Sequence, residues 1–295
     1  MIRWPTFNKG YEIKRFLGSG HFGDVYLATK EGWYFAIKKV VNTERRTAKE
    51  EIQVLKQVNH RHIIKYFDHY LESSVHFCIV LEYADRGTMG MSVKKHVKEE
   101  WNVWRTISHL ADALDYLHSR NPQVLHHNLK PENILGVSVV ARPPETGLKT
   151  MWKLADFGVA KMLTRQAQEV YYGGDAPGIP TYMGPEVLKD FETYSAVSDI
   201  WSLGLVIAFY IRNGKHVFES NDDVFYYKSS MAADLILDVE EANFYSTTLL
   251  QMIFSMLQVE NQHFERHLKM HKTVVMCSLN ISERTHLSYY FFPLL

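Results

Sequence analysis

An α+β chain, with an antiparallel sheet in its first part and mainly helices after it, is predicted by three observations. Val25-Tyr26-Leu27-Ala28 and Trp33 to Val41 are strand-like runs joined by a turn at Glu31-Gly32, which together read as an antiparallel hairpin. Ala48, Ile52 and Leu55, with Val58 beyond, keep helical spacing. Val103, Ile107, Leu110, Leu114 and Leu117 then repeat at three- and four-residue intervals, and Ile200 to Ile211 is an apolar run suited to a buried helix. A chain of 295 residues with 46% apolar residues is long enough to bury a large core.

Taken in order, the elements carry chemistry. Gly18-Ser19-Gly20-His21-Phe22-Gly23-Asp24-Val25 follows the pattern G-x-G-x-x-G-x-V. Glycines have no Cβ, so backbone N–H groups at such a place can fold closely over phosphates. The same letters serve dinucleotide-binding folds, but there a helix must follow, and here a hairpin follows. On the second strand stands Phe35-Ala36-Ile37-Lys38, and the next helix carries Glu50 and Glu51 side by side. Adjacent helix positions point about 100° apart, so the two glutamates lie on different faces. Phe77-Cys78-Ile79-Val80-Leu81-Glu82-Tyr83-Ala84 is an apolar strand that ends in a polar connection.

The helix of Val103 to Leu117 leads into His126-His127-Asn128-Leu129-Lys130-Pro131-Glu132-Asn133. Lys153-Leu154-Ala155-Asp156-Phe157-Gly158 follows, then Gly178-Ile179-Pro180-Thr181-Tyr182-Met183-Gly184-Pro185-Glu186 and Ser198-Asp199-Ile200-Trp201-Ser202-Leu203-Gly204. Any one of these is weak evidence; their shared order is strong. Over roughly residues 11 to 220 the chain resembles the eukaryotic protein kinase superfamily, and Lys130-Pro131-Glu132-Asn133 is similar to its Ser/Thr branch.

The resemblance implies a bilobal kinase fold. Its N-lobe, a small antiparallel sheet with helix C, would span 11–82, and a larger, mainly helical C-lobe 83–270, with a loop insertion at 136–152 and a divergent tail at 271–295. It implies ATP and Mg2+ as cofactors and a protein substrate or protein partner. Gly18, Gly20, Gly23, Val25, Ala36 and Leu135 would surround the nucleotide, with Leu81 as gatekeeper and Glu82 and Ala84 in the adenine-binding hinge. Lys38, paired with Glu51 and with Glu50 as the competing choice, would meet the phosphates, and Asn133 and Asp156 would hold the metal ions. Asn128 and Lys130 occupy the catalytic positions.

The departures from the family pattern concentrate at the chemistry. Asn128 stands in place of the aspartate that accepts the substrate hydroxyl proton, so the loop reads His-His-Asn and not His-Arg-Asp. A neutral carboxamide is a very poor proton acceptor. Loss of a general base is worth about 10²–10⁴ in rate. Phosphoryl transfer depends mostly on positioning and charge neutralisation, which blunts the loss. His127 replaces an arginine that clamps phosphate on the activation loop, Ile179 a threonine, and Gly184 an alanine. Two readings stay open: a Ser/Thr kinase of reduced activity, and a pseudokinase serving as a nucleotide- or partner-binding module.

Composition narrows the remainder. Lys plus Arg equals Asp plus Glu at 33 each, so no strong field draws the chain to nucleic acid or an anionic membrane. The run Ile200 to Ile211 is too short to span a bilayer, and Met1 to Gly10 carries no apolar leader core. Two cysteines, Cys78 and Cys277, fit a reducing cytoplasmic or nuclear compartment. His109, His118, His126 and His127 show no zinc-ligand spacing with other donors. The tail Tyr289-Tyr290-Phe291-Phe292-Pro293-Leu294-Leu295 is apolar enough to be an aggregation hazard unless it packs. Oligomeric state has no signature in the sequence.

Overall fold

The computed structural model describes residues 6–7, 9–20, 23–41, 45–73, 76–93, 99–141, 147–163, 180–189, 194–219, 223 and 245–257. The chain divides at Val259, and the described residues all belong to the unit before it. A six-stranded antiparallel sheet forms first. Its strands are β1 (Thr6–Phe7), β2 (Tyr11–Gly20), β3 (Gly23–Lys30), β4 (Trp33–Val41), β5 (Tyr66–Leu71) and β6 (His76–Glu82), in the order β1-β2-β3-β4-β6-β5. Between β3 and β4, Lys30 pairs with Trp33 across a two-residue turn. Glu31 and Gly32 both have positive φ, 52° and 82°, the conformation that matches the twist of a tight hairpin.

Side chains alternate across a strand, and here the two faces have different partners. Ile37 joins Tyr11, Ile13, Ala28, Tyr70, Cys78 and Val80 in one apolar cluster. Val40 joins Phe77, Ile79, Ala48 and Ile52 in another, which brings in helix α1 (Arg45–Gln57). Lys38, two residues before Val40, shares the face that looks toward α1. On the helix, Ala48, Glu51, Ile52 and Leu55 are buried at i, i+3, i+4 and i+7, while Glu50 is exposed.

After β6 come β7 (Gly87–Thr88), α2 (Met89–Ser92) and the long α3 (Glu100–His118). Seven α3 residues are buried: Val103, Thr106, Ile107, Leu110, Ala113, Leu114 and Leu117. Then follow β8 (Gln123–Leu125), a 3-10 turn at Pro131–Asn133, β9 (Ile134–Val140), β10 (Leu148–Leu154) and β11 (Lys161–Leu163). Helices α4 (Pro185–Lys189), α5 (Ala196–Ile211) and α6 (Thr247–Met256) complete the described part. Ser195 caps α5 in a reciprocal box with Ser198, and from Ser198 to Ile211 every residue of the helix is buried. Among the described residues no helix is long and apolar enough to cross a membrane.

The segment 136–152, expected to be a loop, is largely strand. Seven residue pairs join β9 to β10, from Leu148 with Val140 to Leu154 with Ile134. The β-branched Val137, Val139 and Val140 favour the pleat, and Gly136 admits the Arg86 and Trp152 side chains where a Cβ would lie 2.8 and 3.1 Å from them. Residues 142–146, with the prolines, lie outside the described residues.

Candidate active site

The face of β4 that looks toward α1 decides the first contact. Lys38 Nζ lies 2.7 Å from Glu51 Oε2 and 2.8 Å from Asp156 Oδ1. Glu51, only 1% exposed, is the partner; Glu50 is not buried. Burial works against the Lys38 charge, but Glu51 and then Asp156 outweigh it and hold the ammonium firmly protonated. Burial also pushes the Asp156 carboxyl up, and the Lys38 charge reverses this and keeps it below the ordinary carboxylate range.

The loop after β8 is held from beneath by Asp199. This fully buried carboxylate accepts from the backbone N–H of His126 at 2.9 Å and of His127 at 3.0 Å, and from Tyr194 Oη at 2.7 Å. His118 Nε2 adds a fourth contact at 2.8 Å. Burial would raise the Asp199 pKa, yet the His118 hydrogen bond and the surrounding imidazoles leave it well below the usual range. Held this way, His127 adopts a left-handed φ of 63°, a conformation that costs energy in a non-glycine residue. Its ring stacks on Tyr194 with centroids 3.7 Å apart. His126 packs edge-on against Phe157, centroids 4.9 Å apart, and contacts the Ala155 carbonyl.

Asn128 follows immediately, and it is buried. Its side-chain Nδ2 donates to Asp156 Oδ2 at 3.1 Å, and its backbone carbonyl accepts from Asn133 Nδ2 at 2.8 Å. Asp156, itself at a left-handed φ of 63°, therefore holds Lys38 on one oxygen and Asn128 on the other. Commitment of Asn133 Nδ2 fixes its Oδ1 as the amide's available acceptor. The expected catalytic and metal-binding residues thus meet in one hydrogen-bonded group, joined by Lys130, whose charge lowers the Asp156 pKa and whose carbonyl accepts from Asn133 N–H. Asn133 and Asp156 are hard oxygen donors; two of them suit magnesium, which fills its shell with water and phosphate and not with an all-protein cage.

The expected nucleotide-lining residues fall on neighbouring strands. Gly18 pairs with Val25 and Gly20 with Gly23 at the β2–β3 turn, and Ala36 pairs with Leu81. A Cβ added at Gly18 would meet nothing within 4 Å, so its open side leaves room for a ligand. Gly23 has a different reason to be glycine: at φ 145° a Cβ would lie 2.1 Å from the Lys39 carbonyl. Glu82 and Ala84 begin the connection between the lobes, and Leu135 pairs with Thr88 and Lys153.

Several contacts had no signal in the sequence reading. Lys153 Nζ bridges both Glu82 carboxylate oxygens at 2.7 and 2.8 Å, tying β10 to the hinge. Gly184, expected to loosen its segment, is buried, and the Glu186 carboxylate fills the space a Cβ would take, 2.4 Å from that position. Glu186 accepts from Ser198 Oγ at 2.9 Å. His21, Phe22, Ile179 and the expected activation-loop positions Thr164, Tyr171 and Tyr172 lie outside the described residues, as does the tail.

A six-stranded antiparallel sheet with one packed helix, followed by a mainly helical part, and a lysine–glutamate pair reaching an Asp-Phe-Gly aspartate define a protein kinase fold. Residues 11–267 match the protein kinase domain family, and the chain belongs to it. It is similar to "Probable serine/threonine-protein kinase nek3" of Dictyostelium discoideum, 30% identical over 85% of this chain and 22% of the relative. It is 30% identical to "Serine/threonine-protein kinase Nek6" of Oryza sativa subsp. japonica over 86% of this chain and 45% of that protein. For "Serine/threonine-protein kinase ATG1" of Gibberella zeae the figures are 29%, 88% and 31%. The chain spans less than half the length of these curated relatives. A crystal structure of a kinase domain superposes with a TM-score of 0.64 at 19% identity, covering 88% of this chain and 93% of that one, which supports the fold.

Proposed function

We propose that this Ser/Thr kinase-like chain binds ATP with magnesium and transfers the γ-phosphate to protein Ser or Thr slowly, because position 128 supplies no base. The observation that carries this reading is the ion-pair group of Lys38, Glu51 and Asp156, formed with distances of 2.7 and 2.8 Å. Lys38 supplies the cation that meets the α- and β-phosphates of ATP in this family, and Glu51 fixes its direction. Magnesium held by Asn133 and Asp156 would neutralise charge on the phosphates. Lys130, beside Asn128, offers a second cation near the transferred group.

A second reading, a nucleotide-binding pseudokinase, is favoured by one contact. The Asn128 Nδ2 donor is committed to Asp156, which leaves only the weakly accepting carboxamide oxygen for a substrate hydroxyl. Both readings require nucleotide binding, and thermal denaturation with ATP·Mg tests that requirement. A ligand at a hundredfold excess over its Kd stabilises the folded state by about 2.7 kcal/mol. Stabilisation is expected in the wild type and its loss in Lys38→Ala and Asp156→Ala; no shift at millimolar ATP·Mg overturns both readings.

A further inference from the structure

The formal charges of the side chains that meet around Asp156 pair off. Two cations, Lys38 and Lys130, act on a group that contains two carboxylates, Glu51 and Asp156. Both Asp156 oxygens are engaged, Oδ1 by Lys38 at 2.8 Å and Oδ2 by the Asn128 amide at 3.1 Å. An aspartate at 128 would change this in two ways. It would remove the amide donor, and it would place a third carboxylate against Asp156 at hydrogen-bonding distance. Like charges that close repel strongly where burial limits screening, and a divalent cation is the direct way to offset them. Asn128 is 7% exposed and the Asp156 side chain 23%, so solvent screens the pair only in part.

We infer that Asn128 frees this site from its dependence on a divalent cation, so that it takes a nucleoside triphosphate in the absence of magnesium. Asn128 is a positioning residue in this account. It holds Asp156 through its side chain and Asn133 through its backbone carbonyl, and a triphosphate entering beside them meets a balanced group where the aspartate form would present net negative charge. The inference rests on the nucleotide-binding reading above, but it concerns the role of the metal and not the presence of a site.

Calorimetric titration of ATP into the full chain, in KCl buffer with EDTA and again with excess MgCl2, reads the effect as the ratio of the two Kd values. The wild type is expected to bind in both buffers with a ratio below about tenfold. Asn128→Asp is expected to bind normally with magnesium and at least tenfold more weakly than wild type in EDTA. Asn128→Ala, which loses the donor but adds no charge, should fall between them. Magnesium alone should raise the melting temperature of Asn128→Asp more than that of wild type. A wild type that binds only with magnesium overturns the inference and leaves the nucleotide-binding reading standing, as do equal ratios in wild type and Asn128→Asp. A wild type that binds in neither buffer overturns both.

Discussion

His62 and His109 stack ring on ring, centroids 4.3 Å apart and planes 20° from parallel, and each bonds the backbone of Trp152. Trp152 N–H donates to His109 Nδ1 at 3.3 Å, so that nitrogen carries no proton. His62 Nδ1 lies 3.2 Å from the Trp152 carbonyl and therefore carries one. Two neutral imidazoles cover the outer edge of β10 at Trp152, an exposed edge being a liability in any sheet. The same strand bonds the chain just after α1, through Leu154 N–H to the His62 carbonyl at 2.8 Å and Ile64 N–H to the Leu154 carbonyl at 2.9 Å. The histidine pair thus sits where the small lobe joins the large one.

Stability should fall in mild acid because of this pair. Burial lowers the His62 pKa to about 4 and the His109 pKa to about 2, from an ordinary value of 6.5. Between the folded and unfolded values the unfolded chain binds more protons, so stability rises with pH there. The contribution is complete above pH 6.5 and is lost as pH falls toward 4 for His62 and further for His109. Urea midpoints at pH 7.5 and pH 5 are expected to show a clear loss at pH 5, and His109→Gln a shallower one. Equal slopes in the two proteins would remove the pair from the explanation.

Lys153 and Glu82 should couple measurably. Their contact is doubled, at 2.7 and 2.8 Å, and Glu82 also accepts from Lys65 N–H at 3.1 Å. Partial exposure screens the pair, so a double-mutant cycle of Lys153→Met and Glu82→Gln is expected to give about 1 kcal/mol. Because Glu82 opens the hinge, the single variants should also weaken ATP binding. A coupling near zero would make the contact an ornament of the surface.

Close approach of α5 and α6 depends on Gly204. A Cβ there would lie 2.9 Å from Met256 Cβ and 3.0 Å from Leu257 Cδ2. Met256 Cβ is rigidly tied to its backbone, so the helices must move apart. Better helix propensity of alanine returns up to about 1 kcal/mol. Overpacking costs about 1–3 kcal/mol, so Gly204→Ala is expected to destabilise the fold in chemical denaturation. Unchanged stability would mean that α6 shifts freely.

Local patterns carried most of this architecture. The Glu31-Gly32 turn needs positive φ at adjacent residues, and glycine announces it. Lys38 and Glu51 are legible through the resemblance of their motifs to the kinase pattern, and the burial of Ala48, Glu51, Ile52 and Leu55 on one helix face agrees with it. The β9–β10 hairpin is hidden in the sequence because Arg142-Pro143-Pro144-Glu145 stands between its two strand segments, and prolines outweigh the valines that precede them. Contacts such as Lys153 with Glu82, His118 with Asp199, and Asn128 with Asp156 join residues 71, 81 and 28 positions apart. No periodicity reports such pairs; they appear only when the chain is folded.

Asn128→Asp carries the sharpest expectation for catalysis. The exchange keeps side-chain volume and restores a carboxylate in the catalytic loop, where it can accept the proton of a substrate hydroxyl. With excess magnesium to offset the new charge beside Asp156, γ-phosphate transfer to a generic Ser/Thr peptide is expected to rise about 10²-fold or more. The gain should require magnesium more strongly than any residual wild-type transfer does, because the amide that now holds Asp156 Oδ2 is gone. If transfer stays at background in Asn128→Asp and appears only when Ile179→Thr is added, positioning of the loop is the larger lesion. If neither variant transfers phosphate while both bind ATP·Mg, the slow-kinase reading falls and the pseudokinase reading remains.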